Sequence, residues 1–292
     1  MFAGFERQRV LANGVGIPLV KGGRGPPLLL LHGHPQTHAI WHKIAEPLAE
    51  RFTVVATDLR GYGDSEKPPG LPDHGNYSKR VMAQDQVEVM RHLGHEDFLL
   101  VGHDRGGRVA YRLALDHPQR VRKLVTLDIA PTLAMYEKTT MEFARAYYHW
   151  FFLIQPAPFP ETLINADPEF FLKSFTAKRS DGRSPFAPEA YAEYLRCLKD
   201  PKTVHGICED YRASAGIDLT HERADIAAGR KIECEMLALW GAHGVIEKLF
   251  RPLDEWKVLA SRVRGHALPC GHYIPEEAPE HLLEELVTFL AP

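Results

Sequence analysis

Residues 98–110 read FLLVGHDRGGRVA, and this stretch decides the fold. The apolar run Phe98–Val101 is typical of a buried β-strand, and residues 106–117 follow a helical pattern that ends before a proline. Between them, the pentapeptide GHDRG at 102–106 has the glycine-x-nucleophile-x-glycine form of a sharp strand-to-helix turn. Glycines flank the central residue because side chains there would clash as the turn closes. The pattern predicts that Asp104 projects into a site.

Other apolar runs indicate that this strand belongs to a parallel sheet. They occupy residues 28–31, 53–57, 124–127 and 236–239. Continuous apolar runs are typical of parallel strands that are buried on both faces. Segments with helical periodicity lie between them, among them one that opens at Ser78 and closes at Gly94. The alternation predicts a doubly wound α/β domain.

The alternation of strands and helices breaks after Asp128. Residues 136–228 are helical, aromatic and interrupted by prolines, and strand-like runs resume near Met236. We therefore predict an α/β-hydrolase fold, which is a mostly parallel, doubly wound sheet with an inserted helical cap. The predicted core comprises residues 1–135 and 229–292, and the cap comprises 136–228. A cap in this position would cover the carboxyl ends of the strands, where open α/β sheets bind ligands.

Composition excludes several classes of protein. The 292 residues are 45% hydrophobic and 25% charged, which is typical of globular chains and not of disordered or fibrous ones. A net charge of −3 provides no bulk field for binding nucleic acid or an anionic membrane. The four cysteines form no C-x-x-C pair, which favours free thiols in a reducing compartment over disulfides or a zinc site. With no recognisable signal peptide or membrane-spanning run, we expect a cytoplasmic protein.

The residue types at the turn and near the C-terminus predict nucleophilic catalysis. Asp104 stands where serine hydrolases carry serine, and a carboxylate can displace a leaving group from a saturated carbon to form an ester. His272 follows the last strand-like run, where the chain order of this fold puts the general base. The acid that orients His272 is assigned to Asp128, at the end of a strand, with Glu247 as the weaker rival.

Further residues predict how the substrate is held. In this fold two backbone N–H groups form the oxyanion hole, and here they would belong to His34 and Arg105. Arg105 and Arg108 lie three residues apart on one helix face and could bind a small carboxylate together. In the predicted cap, three aromatic residues with N–H or O–H donors could hold a departing halide. They are His149, Trp150 and Tyr211.

Together these residues resemble the fluoroacetate dehalogenases, which are haloacetate dehalogenases of the α/β-hydrolase fold. The resemblance covers nearly the whole chain, and an arginine directly after the nucleophile is its most specific feature, because related haloalkane dehalogenases usually have tryptophan there. It implies Asp104 as nucleophile, His272 as base and Asp128 as its acid. It also implies carboxylate binding by the arginine pair, fluoride binding by the three cap residues, no metal or organic cofactor, and a homodimer. His34 departs from the family, which often has phenylalanine there.

The sequence thus predicts hydrolysis of fluoroacetate, or a close haloacetate, to glycolate and halide, with water as the second reactant. An epoxide hydrolase is the first alternative, because that chemistry also uses aspartate and histidine, with tyrosines such as Tyr147, Tyr148 and Tyr211 to protonate the ring. A non-catalytic protein of the same fold that binds small carboxylates is the second. The preference among fluoro-, chloro- and bromoacetate stays open, as does the effect of His34 on substrate size.

Overall fold

The computed structural model describes residues 1–177 and 184–291. Its strands are β1 (Glu6–Ala12), β2 (Val15–Gly22), β3 (Pro27–Leu31), β4 (Thr53–Thr57), β5 (Phe98–His103), β6 (Val121–Leu127), β7 (Glu235–Gly241) and β8 (Val263–Leu268). Within the described residues they form one eight-stranded sheet in the order β1-β2-β4-β3-β5-β6-β7-β8. Strands β3 to β8 pair in parallel, whereas β1 and β2 are antiparallel to each other and β2 is antiparallel to β4. The predicted mostly parallel sheet is confirmed.

Side chains of the central strands alternate between two apolar layers, because successive residues of a strand point to opposite faces. On β3, Leu29 and Leu31 pack into one hydrophobic cluster, and Leu28 and Leu30 pack into the other. All four are fully buried. Burial of both faces explains why these strands are continuous apolar runs in the sequence.

Helices cover both faces of this sheet. In chain order the α-helices are α1 (Ala45–Ala49), α2 (Lys79–His92), α3 (Arg105–Asp116), α4 (Thr132–Glu137), α5 (Met141–Ala146), α6 (Tyr148–Phe152), α7 (Phe159–Ala166), α8 (Pro168–Ala177), α9 (Pro188–Leu198), α10 (Pro201–Ala215), α11 (Ile217–Ala227), α12 (Val245–Leu249), α13 (Pro252–Leu259), α14 (Ile274–Glu277) and α15 (Pro279–Leu290). Short 3-10 turns occur at His38–Trp41, Gly75–Tyr77 and Pro118–Arg120. None of the helices in the described ranges combines the length and the apolar character needed to cross a lipid bilayer.

The helix predicted after Ser78 is confirmed as α2. The Ser78 hydroxyl accepts a hydrogen bond from the N–H of Val81 at 3.3 Å, which satisfies one of the free donors at the start of the helix. Gly94 follows the helix with a positive φ of 82°, a conformation that glycine adopts without steric cost. This sequence pattern therefore marks both ends of the helix.

Between β6 and β7 the chain departs from the alternation of strands and helices, as predicted. The described residues of this segment form helices α4 to α11. The first of these helices begins at Thr132, four residues before the predicted start of the cap at residue 136. The division into a core and a cap stays a prediction.

Strands β1 and β2 have no counterpart in the sequence-based prediction. They form a hairpin at the edge of the sheet, and β1 alternates exposed and buried residues, so it contains no continuous apolar run. A search for the buried strands of a parallel sheet misses a strand of this kind.

Candidate active site

The predicted sharp turn lies between β5 and α3. Asp104 is the single residue between strand and helix, and its backbone has φ 47° and ψ −114°, a strained conformation for a residue with a side chain. The neighbouring positions 102 and 106 have no room for a side chain, so they require glycine. A Cβ on Gly102 would lie 2.5 Å from the Gly106 carbonyl oxygen, and a Cβ on Gly106 would lie 2.4 Å from the Leu31 carbonyl oxygen. The strand-to-helix turn therefore has the geometry of a nucleophile elbow.

The loop after β3 lies directly against the Asp104 side chain. The N–H of His34 donates a hydrogen bond to Asp104 Oδ1 at 2.9 Å. A Cβ on Gly33 would lie 2.5 Å from the Asp104 Cβ, so glycine permits this close approach. The N–H of His34, which was predicted as an oxyanion donor, is thus already hydrogen-bonded to one oxygen of the Asp104 carboxylate. The second predicted donor, the N–H of Arg105, lies at the first residue of α3, and its contribution stays a prediction.

His272 and Asp128 are brought together although they lie 144 positions apart in the chain. Asp128 directly follows β6 with φ 51°, and its Oδ2 lies 2.5 Å from His272 Nδ1. Asp128 Oδ1 accepts a hydrogen bond from the N–H of Gly241 at 2.9 Å, which fixes the carboxylate. The other ring nitrogen of His272, Nε2, lies 3.9 Å from Asp104 Oδ2. The three residues therefore form an ordered Asp–His–Asp arrangement.

Glu247, the rival for the role of Asp128, lies outside this arrangement. It is exposed on α12, and it accepts a hydrogen bond from the indole N–H of Trp240. The structure thus brings Asp128 and not Glu247 to the histidine.

The charges around Asp104 keep its carboxylate ionised. Burial by itself would raise the pKa of Asp104, whose side chain is almost completely enclosed. Electrostatic interactions with two histidines and two arginines outweigh that effect and hold the pKa well below the usual range. These groups are His272, His103, Arg105 and Arg108. Asp104 is therefore charged at every pH at which the protein would be assayed.

Arg105 is fully buried and is held by a carboxylate that the sequence analysis assigned no role. Its Nε donates to Asp210 Oδ2 at 2.8 Å and its Nη2 donates to Asp210 Oδ1 at 3.0 Å. Nη2 also donates to the Ser214 hydroxyl at 2.5 Å, and the guanidinium carbon lies 4.1 Å from the centre of the Tyr211 ring. Only Nη1 lacks a hydrogen-bond partner among the residues that the structure describes.

Arg108 is buried in a different environment. It is 1% exposed and donates to the Thr132 hydroxyl at 2.8 Å and the Ala130 carbonyl at 3.2 Å. Its guanidinium carbon lies 4.6 Å from the centre of the Trp150 ring. These partners are uncharged, and within the described residues no carboxylate lies within 4.0 Å of the guanidinium nitrogens. Among the described residues Arg108 is thus a buried cation with no direct ion pair, although the charges of Asp104 and Glu222 act on it from further away.

The three candidate halide donors lie close together although they come from two helices. His149 and Trp150 belong to α6, and Tyr211 belongs to α10; all three are at most 1% exposed. The ring centres of Tyr211 and His149 are 5.8 Å apart, and those of Tyr211 and Trp150 are 6.5 Å apart. The His34 ring stacks on His149 at 6.3 Å, which places its side chain in the same aromatic cluster.

His103, the residue before the nucleophile, has a supporting position that the motif did not reveal. It is fully buried, and its Nε2 lies 2.8 Å from the backbone carbonyl oxygen of His272. Burial and the neighbouring His272 lower its pKa to about 4, so the ring is neutral and can donate to that carbonyl. His103 therefore fixes the backbone of His272.

Glu276 is buried on α14, where it accepts a hydrogen bond from the Tyr194 hydroxyl at 2.8 Å and lies 3.7 Å from the Lys43 ammonium group. Burial raises its pKa to about 7. The folded state therefore binds a proton on Glu276 more tightly than the unfolded chain does. The contribution of this proton to the free energy of unfolding is fully present below the ordinary pKa of glutamate, and it is lost as the pH rises from there through 7. We expect Glu276→Gln to raise Tm at pH 8 more than at pH 6. Thermal unfolding of both proteins across this range measures the effect, and parallel Tm profiles would contradict it.

Comparison with known proteins agrees with the fold. Residues 26–203 match the family model for the alpha/beta hydrolase fold. The chain belongs to the alpha/beta hydrolase family. A solved alpha/beta hydrolase from Nostoc sp. PCC 7120 superposes on this hydrolase with a TM-score of 0.97 at 58% identity, over 100% of this chain and 99% of that one.

Two curated relatives of this hydrolase have different names. A fluoroacetate dehalogenase from a Burkholderia species is 47% identical over 100% of this chain and 95% of its own length. A soluble epoxide hydrolase from Corynebacterium sp. (strain C12) is 34% identical over 97% of this chain and 96% of its own length. Family membership is therefore settled, and the choice between substrates depends on the site.

Proposed function

We propose that this hydrolase removes halide from fluoroacetate, or from a close haloacetate, to give glycolate through an ester on Asp104. The observation that carries the proposal is Arg108. A buried guanidinium without a paired acid costs several kcal/mol, and an anionic ligand would offset that cost. A haloacetate carboxylate is such an anion, whereas a neutral epoxide is not. The similarity to a fluoroacetate dehalogenase over the whole chain supports the same choice.

In the first step, Asp104 Oδ2 attacks the carbon that bears the halogen. The carbon–halogen bond breaks, its electron pair leaves with the halide, and an ester bond joins Asp104 to the acetate unit. Oδ1 stays on the His34 N–H at 2.9 Å, which orients Oδ2 toward the substrate. Nη1 of Arg105 and the guanidinium of Arg108 would hold the substrate carboxylate.

In the second step, water cleaves the ester. His272 Nε2 takes a proton from the water as the oxygen attacks the ester carbonyl carbon. Negative charge develops on Oδ1, where the His34 N–H stabilises it, and Asp128 stabilises the protonated imidazole. Collapse releases glycolate, which takes the proton back from His272, and leaves Asp104 as a carboxylic acid that loses the second proton of water to solvent. Haloacetate and water thus give glycolate, halide and a proton, and the oxygen from water remains on Asp104.

The aromatic cluster is the proposed halide site. Fluoride is strongly hydrated, so a closed site must replace its water with fixed donors. His149, Trp150 and Tyr211 each carry an N–H or O–H group and are buried beside the two arginines. Residues 136–228 would then form the cap that excludes water from the core at 1–135 and 229–292. As the resemblance implies, we propose a homodimer that needs no metal or organic cofactor, and from the cysteine pattern we propose a cytoplasmic location.

An epoxide hydrolase is the alternative that one observation favours. Tyr147 is 4% exposed, and its ring packs against His272 with centres 6.4 Å apart. A tyrosine hydroxyl at this place could protonate an opening epoxide ring. A non-catalytic carboxylate-binding protein would instead bind acetate and release no halide.

Halide release decides among these three functions. We expect fluoride or chloride release from fluoroacetate and chloroacetate, and no diol from styrene oxide. Arg108→Met should raise KM for the haloacetate by about 10- to 100-fold, because hydrogen bonds to charged groups contribute roughly 1.5–3 kcal/mol. Since Arg108 has no paired acid, Arg108→Met should lower Tm less than Arg112→Met, which breaks the buried Arg112–Asp225 pair. Styrene oxide turnover without halide release would overturn the proposal.

A further inference from the structure

We propose that Asp210, together with Lys79, is the positioning element that fixes Arg105 for binding the substrate carboxylate. The inference rests on the proposed function, since it assigns a task to residues around the same site. It concerns two side chains that do not touch the reacting atoms and that no sequence motif marks.

Asp210 determines which atom of Arg105 can reach a ligand. Its two carboxylate oxygens accept hydrogen bonds from Nε and Nη2, so they bind one edge of the guanidinium group in a bidentate manner. The Tyr211 ring lies 4.1 Å from the guanidinium carbon and fixes the plane itself. Nη1 is the nitrogen that remains without a partner among the described residues. A carboxylate ligand would therefore meet one donor in a fixed direction.

Asp210 also fixes the helix that bears it. The Tyr62 hydroxyl donates to Asp210 Oδ2 at 2.6 Å, and the ammonium group of Lys79 donates to Oδ1. These partners come from the loop after β4 and from the start of α2, whereas Asp210 lies on α10. A Cβ on Gly206, one turn earlier on α10, would lie 2.7 Å from the Gly61 carbonyl oxygen, so the backbones touch there as well. Tyr211, the next residue, is thereby held in place too.

Lys79 keeps the charge of Arg105 effective. A single carboxylate paired with Arg105 alone would cancel its charge, but here Asp210 is shared between two buried cations. Asp218 Oδ2 lies 3.6 Å from the Lys79 ammonium group, and burial lowers the pKa of Lys79 while it raises that of Asp218. Lys79 thus shares the Asp210 carboxylate with Arg105 and takes up part of its negative charge.

Positioning and simple charge cancellation predict opposite results for Asp210→Asn. If Asp210 only cancelled charge, its removal would expose the charge of Arg105 and tighten the binding of an anion. If Asp210 positions Arg105, its removal frees the guanidinium to rotate, and the directed hydrogen bond from Nη1 is lost. A hydrogen bond to a charged group of this kind corresponds to about tenfold or more in affinity.

Acetate is the probe, because it carries the carboxylate and no leaving group. We expect the acetate Kd, measured by calorimetry on the full-length protein, to rise about tenfold or more in Asp210→Asn, together with KM for chloroacetate. The matched control is Asp225→Asn on α11, which breaks the buried Arg112–Asp225 pair. Arg112 lies on α3, as Arg105 does, but two turns further along the helix. The control should lose stability and keep the wild-type Kd. Equal shifts in both variants, or tighter binding in Asp210→Asn, would overturn the inference.

Lys79→Gln provides a second test that keeps a hydrogen-bonding group and removes the charge. Lys79→Gln should also raise the acetate Kd. If Asp210→Asn does not fold, the acetate Kd of Lys79→Gln tests the inference in its place. An unchanged Kd would contradict the role of Lys79. If instead the proposed function is wrong, the wild-type protein itself would bind acetate and release no halide from either haloacetate.

Discussion

Asp104→Asn should abolish steady-state halide release, with a loss of about 10⁴-fold or more, the range seen when a catalytic nucleophile is removed. The amide keeps the shape of the side chain and can still accept the hydrogen bond from the His34 N–H. It lacks the negative charge needed to displace a halide. The elbow backbone and its flanking glycines are unchanged in this variant. The loss of halide release therefore reports the missing negative charge of Asp104.

Binding of acetate separates this chemical loss from a collapsed site. Asp104→Asn should bind acetate at least as tightly as wild type, because one negative charge beside the ligand is removed. Ion-selective electrode measurements of halide, with calorimetry of acetate on the same samples, provide both numbers. Retained turnover near the wild-type rate would exclude Asp104 as the nucleophile.

His272→Gln should release one halide per active site and then stop. The first step uses Asp104 and the leaving group, whereas the second step needs a base to activate water. Loss of a general base typically slows a step by about 10²- to 10⁴-fold. The stalled protein should carry the acetate unit as an ester on Asp104, which intact-mass analysis and peptide mapping would detect.

A second buried His–Asp pair provides the matched control for His272. His38 Nδ1 lies 2.8 Å from Asp58 Oδ1, outside the Asp104–His272–Asp128 arrangement. His38→Gln should leave steady-state turnover close to wild type. Continued turnover in His272→Gln, without accumulation of a modified protein, would exclude His272 as the base.

Local sequence predicted the parts of the site that depend on a single turn of the chain. The elbow at Asp104 requires an apolar strand, flanking glycines and a following helix, and all of these are adjacent in the sequence. The chain order of the fold similarly pointed to His272. The sequence also favoured Asp128 over Glu247 as the acid, and in the structure it is Asp128 that reaches the histidine ring.

Residues that act through long-range contacts could not be predicted in this way. Asp210 meets Tyr62, Lys79 and Arg105 across 148, 131 and 105 positions of the chain. Asp210 and Lys79 are of residue types typical of a solvated surface, and only the packing of α10 on the core makes them part of a buried cluster. The β1–β2 hairpin was missed for a related reason, since an edge strand exposes one face and so has no continuous apolar run.

A single turnover in water enriched in heavy oxygen tests the ester mechanism most directly. With protein in excess over chloroacetate, water attacks the carbonyl of the Asp104 ester, so the oxygen of the product comes from the protein. We predict label on Asp104, found by peptide mass analysis, and unlabelled glycolate from the first turnover. Labelled glycolate from the first turnover, with an unlabelled Asp104, would show that water attacks the substrate carbon directly and would contradict the covalent route.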